Sequence, residues 1–503
     1  MLKKFGIRLK NEFKGYNARA LSKDIMAGLT VTAVALPLAL AFGESCGASA
    51  AAGLVTAIIA GLIIGALSGA SFQISGPTGA MSAILIGIVA GDGGLQSVFY
   101  VSFIAGIIIL LCAVFKLGRL VQMIPRPVIT GFTSGIAIII ALGQIDNFFG
   151  TVSKGENAIS KLMSYGELGF TPNIHAIILG LIVVAIMILW PKKLGAIIPG
   201  SLIGIIISTI VCVIAGFNVP VVGEIPKTLF LEERLDITAF DISKLGSYIS
   251  PAISIAALGI IESLLCGASA SRMKDESFDA DQELVAQGIG NVIIPFFGGV
   301  PATAAIARTS VAIKSGCNTR ICGIVHALGL LASMFLLGPI MALLPLSALA
   351  GVLIVTAWRM NEWNSIKSFF KEKNYSAIAK FLITMVSTVV FDLTVAILIG
   401  VAFSALLYII NTSKLKAEIS HSDGISIIEI KGAIFFINAG KLEEITDTLP
   451  NDCKTVKISL EGVDYIDTTA REILAEISEK MAVKNIALNV IPPEVSSAKT
   501  VNA

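Results

Sequence analysis

The chain has 503 residues, 55% of them hydrophobic and 14% charged, with a formal net charge of +2 and a mean hydropathy of +0.85. A soluble domain carries about a quarter charged residues, so this composition excludes an ordinary soluble protein and places most of the chain in a bilayer. The small net charge excludes little, because a membrane protein sorts its charge by side and not by sum.

Residues 1–23 are polar and basic, with Lys3, Lys4, Arg8, Lys10, Lys14, Arg19 and Lys23. No small-residue cleavage site follows a short apolar core, so the first apolar run is expected to remain as an anchor rather than be removed. A span needs about 20 apolar residues. Ile25–Gly43 is one such run. Ser45–Gly91 holds no charge and fits one full helix and one broken helix. Gly93–Phe115, Pro127–Ile145, Leu168–Pro191 and Leu194–Gly223 complete a first half. The second half opens with Leu245–Ser271, interrupted by Glu262, and continues with Leu284–Ala307. Ile321–Trp358 fits two helices around Gly338-Pro339, and Tyr375–Ser413 fits two more. The reading is 14 spans or half-spans, seven in each half, over residues 24–413, with a first repeat at 24–223 and a second at 245–413.

Loop charge sets orientation. From an inside N-terminus, the clusters Lys116/Arg119/Arg126, Lys192/Lys193, Arg272/Lys274, Lys314/Arg320 and Arg359/Lys367/Lys371/Lys373 all follow even-numbered spans. They therefore fall on one side, and both termini are expected in the cytoplasm. Asp392 between the last two spans reads as an N-cap. Beyond residue 414 the pattern changes. Ile425–Ile430, Thr455–Leu460 and Ile486–Ile491 alternate as strands, and Ala470–Ala482 has a helical apolar face. This predicts a small α/β domain at 414–503, shortened at its end, since Pro492 to Ala503 has no helical period.

Two segments carry the chemistry. They are Gln73-Ile74-Ser75-Gly76-Pro77-Thr78-Gly79-Ala80 and Gly298-Gly299-Val300-Pro301-Ala302-Thr303-Ala304-Ala305-Ile306-Ala307-Arg308-Thr309, about half a chain apart. Paired Gly/Pro interruptions at matching places in two halves point to a transporter whose binding site lies between broken helices. A helix N-terminus exposes unpaired N–H groups and carries about half a positive charge, so two that converge make an anion site. Thr78, Gly79 and Ala80 are expected to supply N–H groups from one side, and Thr303, Ala304 and Ala305 from the other. Taken alone, Gly-Pro-Thr-Gly is a tight turn; the matched second break changes that reading. Arg308, with Ala307 beside it, would add positive potential; the alternative is an arginine that snorkels or braces a neighbouring helix. Glu262 can carry a coupling proton, bind sodium, or pair with Arg308. Glu44 reads as a solvated end of span 1. His326 reads as a packed core residue, and His175 as lying near the outer interface.

The seven cysteines sit mostly singly in apolar runs and form no metal-ligand spacing; only Cys317 and Cys322 are close in sequence. No metal site and no cofactor are expected. There is no nucleotide-binding Gly-x4-Gly-Lys-Ser/Thr loop and no Ser/His/Asp constellation, so the chain is not expected to be an enzyme.

Several segments together resemble the SulP family of anion transporters, the bacterial relatives of solute carrier 26. They are Ala27-Gly28-Leu29-Thr30-Val31 with Ala35-Leu36-Pro37, Ser75-Gly76-Pro77-Thr78-Gly79, Ile261-Glu262-Ser263, Gln282-Glu283-Leu284-Val285-Ala286-Gln287-Gly288, Gly298-Gly299-Val300-Pro301-Ala302-Thr303, Ile306-Ala307-Arg308-Thr309 and Gly323-Ile324-Val325-His326-Ala327. The tail, through Lys431-Gly432-Ala433-Ile434-Phe435-Phe436 and Ile466-Asp467-Thr468-Thr469-Ala470, resembles a STAS domain. The resemblance implies a polytopic α-helical fold of seven plus seven inverted repeats. A core domain holds spans 1–4 and 8–11 and a gate domain holds spans 5–7 and 12–14, with spans 3 and 10 as half-helices. It implies transport of sulfate, bicarbonate, chloride, oxalate or dicarboxylates by movement of core against gate, usually as a homodimer, in the bacterial inner membrane. It places Phe42 at the pocket edge, and puts Leu38 where some relatives carry glutamine. Sodium-coupled relatives tend to have aspartate where this chain has Glu262, which favours the proton. In related soluble domains a hydroxyl at the place of Thr469 is phosphorylated. The alternatives are a nucleobase permease of the same fold, or a membrane sensor that moves no solute.

Overall fold

The computed structural model describes residues 2–492 apart from 90–93, 119–123, 155–157, 192–197, 239, 241, 392, 413–415, 423 and 451–452. The expected cap Asp392, the basic residues Arg119, Lys192 and Lys193, and the tail after Pro492 lie outside the described residues. Two compact units divide the chain, at 1–401 and 402–503.

The first unit is helical. An amphipathic α1 (Leu2–Glu12) precedes the spans α2 (Ala18–Ser45), α3 (Ala50–Leu67), α4 (Gly79–Val89), α5 (Gly94–Val114) and α6 (Arg126–Gly143). The short α7 (Ile145–Phe149) and α8 (Ala158–Leu168) lead to α9 (Ile174–Leu189) and α10 (Gly200–Ala215). The second half runs through α11 (Leu245–Lys274), α12 (Ala280–Ile293), α13 (Ile306–Lys314), α14 (Ile321–Met341) and α15 (Leu346–Met360). The short α16 (Trp363–Lys371) then leads to α17 (Tyr375–Val390) and α18 (Leu393–Thr412). Among the described residues six helices are long and apolar enough to cross a membrane, and six more are shorter apolar helices. With α12 and α13 they make up the fourteen read from the hydropathy pattern. Helix α7 continues α6, while α1, α8 and α16 lie between spans or before them.

The break between α14 and α15 falls later than expected. Gly338-Pro339 stays inside α14, and the chain turns at 342–345, where Pro345 caps α15 in extended conformation. Proline has no N–H to give and fits the start of a helix with its fixed φ. Inside a membrane helix it is tolerated where neighbouring groups take up the freed carbonyl.

Two packing groups follow the order expected of core and gate. α2 packs on α3 and α14, α12 on α3 and α5, and α11 on α5. Separately, α6 packs on α17, and α9 on α10 and α15. The groups touch where α2 meets α15 and where α4 meets α6. The helices approach through small residues: a Cβ on Gly53 would meet the Ala39 carbonyl, so α2 and α3 cross at backbone contact. Membrane helices gain little from hydrophobic exclusion, and such close contacts supply their association.

The second unit is a four-stranded sheet in the order β3-β4-β5-β6, built from Lys416–Ser422, Ile425–Ile434, Thr455–Ile466 and Ala487–Ile491. β3–β4 is antiparallel, and the other two pairs are parallel. Helices α19 (Gly440–Asp447) and α20 (Thr468–Val483) complete it. Ile428, Ile430, Val456, Ile458, Leu460, Ile477 and Met481 form its core. The alternating apolar positions of β4 and β5 account for the strands that were legible. β3 and α19 were not read from the sequence: β3 is almost wholly exposed, so it lacks the alternation that marks a half-buried strand.

Candidate functional site

The two Gly/Pro segments meet. β1 (Ser75–Gly76) pairs with β2 (Thr303–Ala304) in an antiparallel bridge, Ser75 opposite Ala304 and Gly76 opposite Thr303. The Ala305 N–H donates to the Ile74 carbonyl at 2.9 Å, closing the crossing. Corresponding segments that run antiparallel are what an inverted repeat produces at its axis. The half-helices α4 and α13 begin immediately after the crossing.

At the first break Thr78 caps α4. Its hydroxyl accepts from the Met81 N–H at 3.4 Å and donates to the Glu262 carboxylate at 3.0 Å, joining α4 to α11. The N–H groups of Gly79 and Ala80 start the helix and have no acceptor within it. Gly79 faces α2 and α6: a Cβ there would lie 3.0 Å from Phe42 Cε1 and would overlap Ile140. Phe42 is buried, and its carbonyl accepts from Ser82 Oγ at 3.0 Å. Phe42, Thr78, Gly79 and Ala80 are thus contiguous.

The second break differs from the sequence expectation. Helix α13 starts at Ile306 with Ala305 as its N-cap residue. The amides assigned from the sequence are already engaged: Ala304 N–H donates to Ser263 Oγ at 3.3 Å, Ala305 N–H donates to Ile74, and Thr303 lies in the bridge. Thr303 Oγ1 also bonds Ser263 Oγ at 2.8 Å. The pairing of the two breaks and the Ser263 hydroxyl take up these backbone groups, and this could not be seen before the crossing was known. The first-turn amides of α13 that have no intrahelical acceptor are those of Ile306, Ala307 and Arg308. Ile306 and Ala307 are exposed, whereas Thr303 and Ala304 are fully buried.

Arg308 is 1% exposed. Its Nη2 donates to the Pro77 carbonyl at 2.6 Å, so the arginine of the second repeat clamps the break of the first. Its Nη1 has no hydrogen-bond partner among the described residues and lies 2.5 Å from where a Cβ on Gly76 would stand. The absence of a side chain at Gly76 permits this close approach. Glu262 is half-buried, directly precedes Ser263 in α11, and accepts from Thr78. Among the described residues no Glu262–Arg308 ion pair is present, so the two opposite charges flank Thr78 without contact. A guanidinium unable to reach water, two helix N-termini and a nearby carboxylate leave net positive potential at the crossing.

Other residues singled out from the sequence lie elsewhere. Glu44 ends α2 half-buried. His326 is fully buried in α14, and neither ring nitrogen has a partner among the described residues. His175 stacks on Phe217 at 4.3 Å beside the start of α9. The cysteines are free thiols. Asp467 caps α20 through the Ala470 N–H at 2.8 Å and also accepts from the Phe436 N–H at 2.8 Å, while Thr468 and Thr469 are exposed. Sequence reasoning missed Ser263 and Thr309. Ser263 follows Glu262 directly, and Thr309 Oγ1 accepts from the Ile74 N–H at 3.0 Å. Their signal was hydroxyls flanking the two membrane charges.

A helical membrane domain with paired broken helices meeting at a buried arginine defines a transporter of the inverted-repeat class, followed here by a separate α/β domain. Residues 21–387 match the model of the sulfate permease family and residues 416–502 that of the STAS domain. The chain belongs to the sulfate permease family. It is 33% identical to the Bacillus subtilis protein "Putative sulfate transporter YvdB", over 96% of this chain and 94% of that one. It is 32% identical to the bicarbonate transporter BicA of Picosynechococcus, over 80% of this chain and 72% of that one. The solved transmembrane domain of a cyanobacterial BicA superposes with a TM-score of 0.70 at 30% identity, covering 76% of this chain and 98% of that one. Murine solute carrier 26 member A9, at 17% identity and a TM-score of 0.82 over 96% of this chain and 87% of that one, shares the fold.

Proposed function

We propose that this protein is a secondary active transporter of a small anion of the sulfate, bicarbonate or dicarboxylate class. The observation that carries this reading is the crossing itself: Arg308 of the second repeat is bonded to Pro77 of the first, between the N-termini of α4 and α13. The anion is held by the amides of Gly79, Ala80, Ile306 and Ala307 and by Arg308, with Phe42 closing one side. Two half-charges and a guanidinium recognise one negative solute with no metal. The names of the bicarbonate and sulfate relatives support the substrate class.

Glu262 is the coupling group and carries a proton. It shares Thr78 with the anion site, so its charge state bears directly on the capping of α4. The packing group α2–α5 with α11–α14 moves against α6, α9, α10, α15, α17 and α18, in an elevator-like step. The protein works as a homodimer in the bacterial inner membrane, with both termini cytoplasmic. The basic loops between even and odd spans support that orientation.

The test is uptake of sulfate, bicarbonate, chloride and succinate into proteoliposomes, with and without imposed proton and sodium gradients. Accumulation of one anion that follows an inward proton gradient is expected. Absence of flux for every anion would remove the reading, and sodium dependence alone would remove the proton assignment.

A further inference from the structure

Helix α12 lines neither half-helix N-terminus, yet it carries a ladder of polar side chains at four-residue spacing: Glu283, Gln287 and Asn291. Residues four apart share one face of a helix. All three are buried, at 0%, 0% and 1% exposure. Polar groups are costly there unless they find partners: Gln287 Nε2 and the Asn291 amide find theirs at the two breaks and Glu283 at the end of α3, while Gln287 Oε1 has none among the described residues.

Asn291 grips the second break. Its Oδ1 accepts from the Ala302 N–H at 2.8 Å, and its Nδ2 donates to the Ala302 carbonyl at 2.9 Å. This reproduces with a side-chain amide the paired bonds of an antiparallel strand neighbour. The same Nδ2 donates to the Gln287 carbonyl at 2.9 Å. Gln287 grips the first break. Its Nε2 donates to Ser75 Oγ at 2.9 Å and to Glu283 Oε1 at 2.8 Å. The other Glu283 oxygen accepts from Ser68 Oγ at 2.6 Å and the Gly69 N–H at 3.0 Å, at the end of α3. Ser75 lies in the crossing, opposite Ala304, and Ala302 immediately precedes it. One rigid helix therefore holds both breaks from behind.

We propose that Gln287 and Asn291 are positioning residues for anion binding: by holding Ser75 and Ala302 from one helix, they keep the N-termini of α4 and α13 aimed at a common point. They touch no substrate. Loss of either leaves both half-helices intact but lets their dipoles diverge, so the effect falls on affinity. The proposal rests on the anion-transport reading above.

The test uses the full-length protein in proteoliposomes with sulfate and bicarbonate as probes. KM is read separately from maximal rate per folded molecule, with thermal melting in detergent alongside. Gln287→Met keeps the volume and removes both donors. It is expected to raise KM about tenfold or more, with maximal rate per folded molecule changed less than about threefold, the split that marks lost ground-state binding. Asn291→Asp, isosteric but with an acceptor facing the Ala302 carbonyl, is expected to do the same. Gln282→Met is the control, since Gln282 bonds the Leu67 carbonyl of the same neighbouring helix and touches neither break; its KM should stay within about twofold. Ser75→Ala, which deletes one hydroxyl, carries the test should the α12 variants fail to fold, with an expected rise of about threefold or more. An unchanged KM in Gln287→Met, or in Ser75→Ala where it stands in, overturns the proposal. So does an equal rise in Gln282→Met. A wild-type protein that moves neither probe removes the transport reading and this proposal with it, whereas an active wild type with insensitive variants removes this proposal alone.

Discussion

Replacing Gly76 by alanine tests the site with one methyl group. The backbone at Gly76 is outside the left-handed region, so alanine fits its conformation. The added Cβ would stand 2.5 Å from Arg308 Nη1, 3.3 Å from Arg308 Cζ and 3.4 Å from Ala57 Cα. Ala57 can stay where it is; the guanidinium must retreat by about 1 Å, since interior heavy atoms settle at about 3.5 Å or more. That motion draws Nη2 off the Pro77 carbonyl, now 2.6 Å away. A hydrogen bond to a charged group contributes about 1.5–3 kcal/mol, which corresponds to roughly tenfold to a hundredfold in affinity if the same displacement misplaces the guanidinium from the anion. Stability should fall by about 1.5–3 kcal/mol as well, because the buried guanidinium loses the same bond. Uptake kinetics in proteoliposomes and thermal melting in detergent read the two effects. A Gly76→Ala protein that binds its anion as tightly as wild type would refute the assignment of Arg308 to the site.

Arg308→Lys should lose most of the anion affinity, about tenfold or more, because an ammonium cannot span Pro77 and a ligand as the planar fork does; unchanged affinity in an uptake titration would contradict this. Glu262→Gln should leave anion exchange but abolish accumulation driven by a proton gradient, and persistence of that accumulation would reassign the coupling group. Glu12 and Arg320 form an ion pair at 2.7 Å with side chains 7% and 4% exposed, and Glu12→Gln should cost about 3 kcal/mol by leaving a buried charge short of its partner, read as a lowered melting temperature. Asp279 titrates below the ordinary carboxylate value: burial opposes this, but the Lys4 ammonium, the Gln282 N–H and the Arg8 charge outweigh it. Its contribution to stability is therefore present above the unfolded value of about 4 and is lost as pH falls through the lower folded value. Asp279→Asn, which keeps the cap acceptor for Gln282, should flatten the fall of melting temperature on acidification below about pH 4.

The N-terminal segment shows one limit of reading a chain by composition. Its lysines and arginines mark a side of the membrane, yet Arg8 bonds the Gly69 carbonyl, and Glu12 binds Arg320. Asp24 accepts from Tyr16, Asn318 and Thr319. Contacts that reach from 61 residues away at Gly69 to 308 at Arg320 leave no local period, so only the folded chain reveals that this segment braces α2, α3 and the turn before α14.

The apolar runs and the two Gly/Pro interruptions determined by themselves that the chain is a repeated helical membrane protein, because the length of a span and the cost of an unpaired backbone in lipid are local matters. The alternating isoleucines of β4 and β5 and the cap residue Asp467 announced the α/β tail in the same local way. Tertiary structure alone decided which amides remain available. The β1–β2 bridge takes up Thr303, Ser263 takes the amide of Ala304 and Ile74 that of Ala305, so the second half-helix presents Ile306 to Arg308 instead. It also decided that Arg308 answers to Pro77 and not to Glu262, and that α12 holds both breaks. These are pairings between distant segments, and a hydrogen bond across two hundred residues is fixed by packing, which no window of sequence contains.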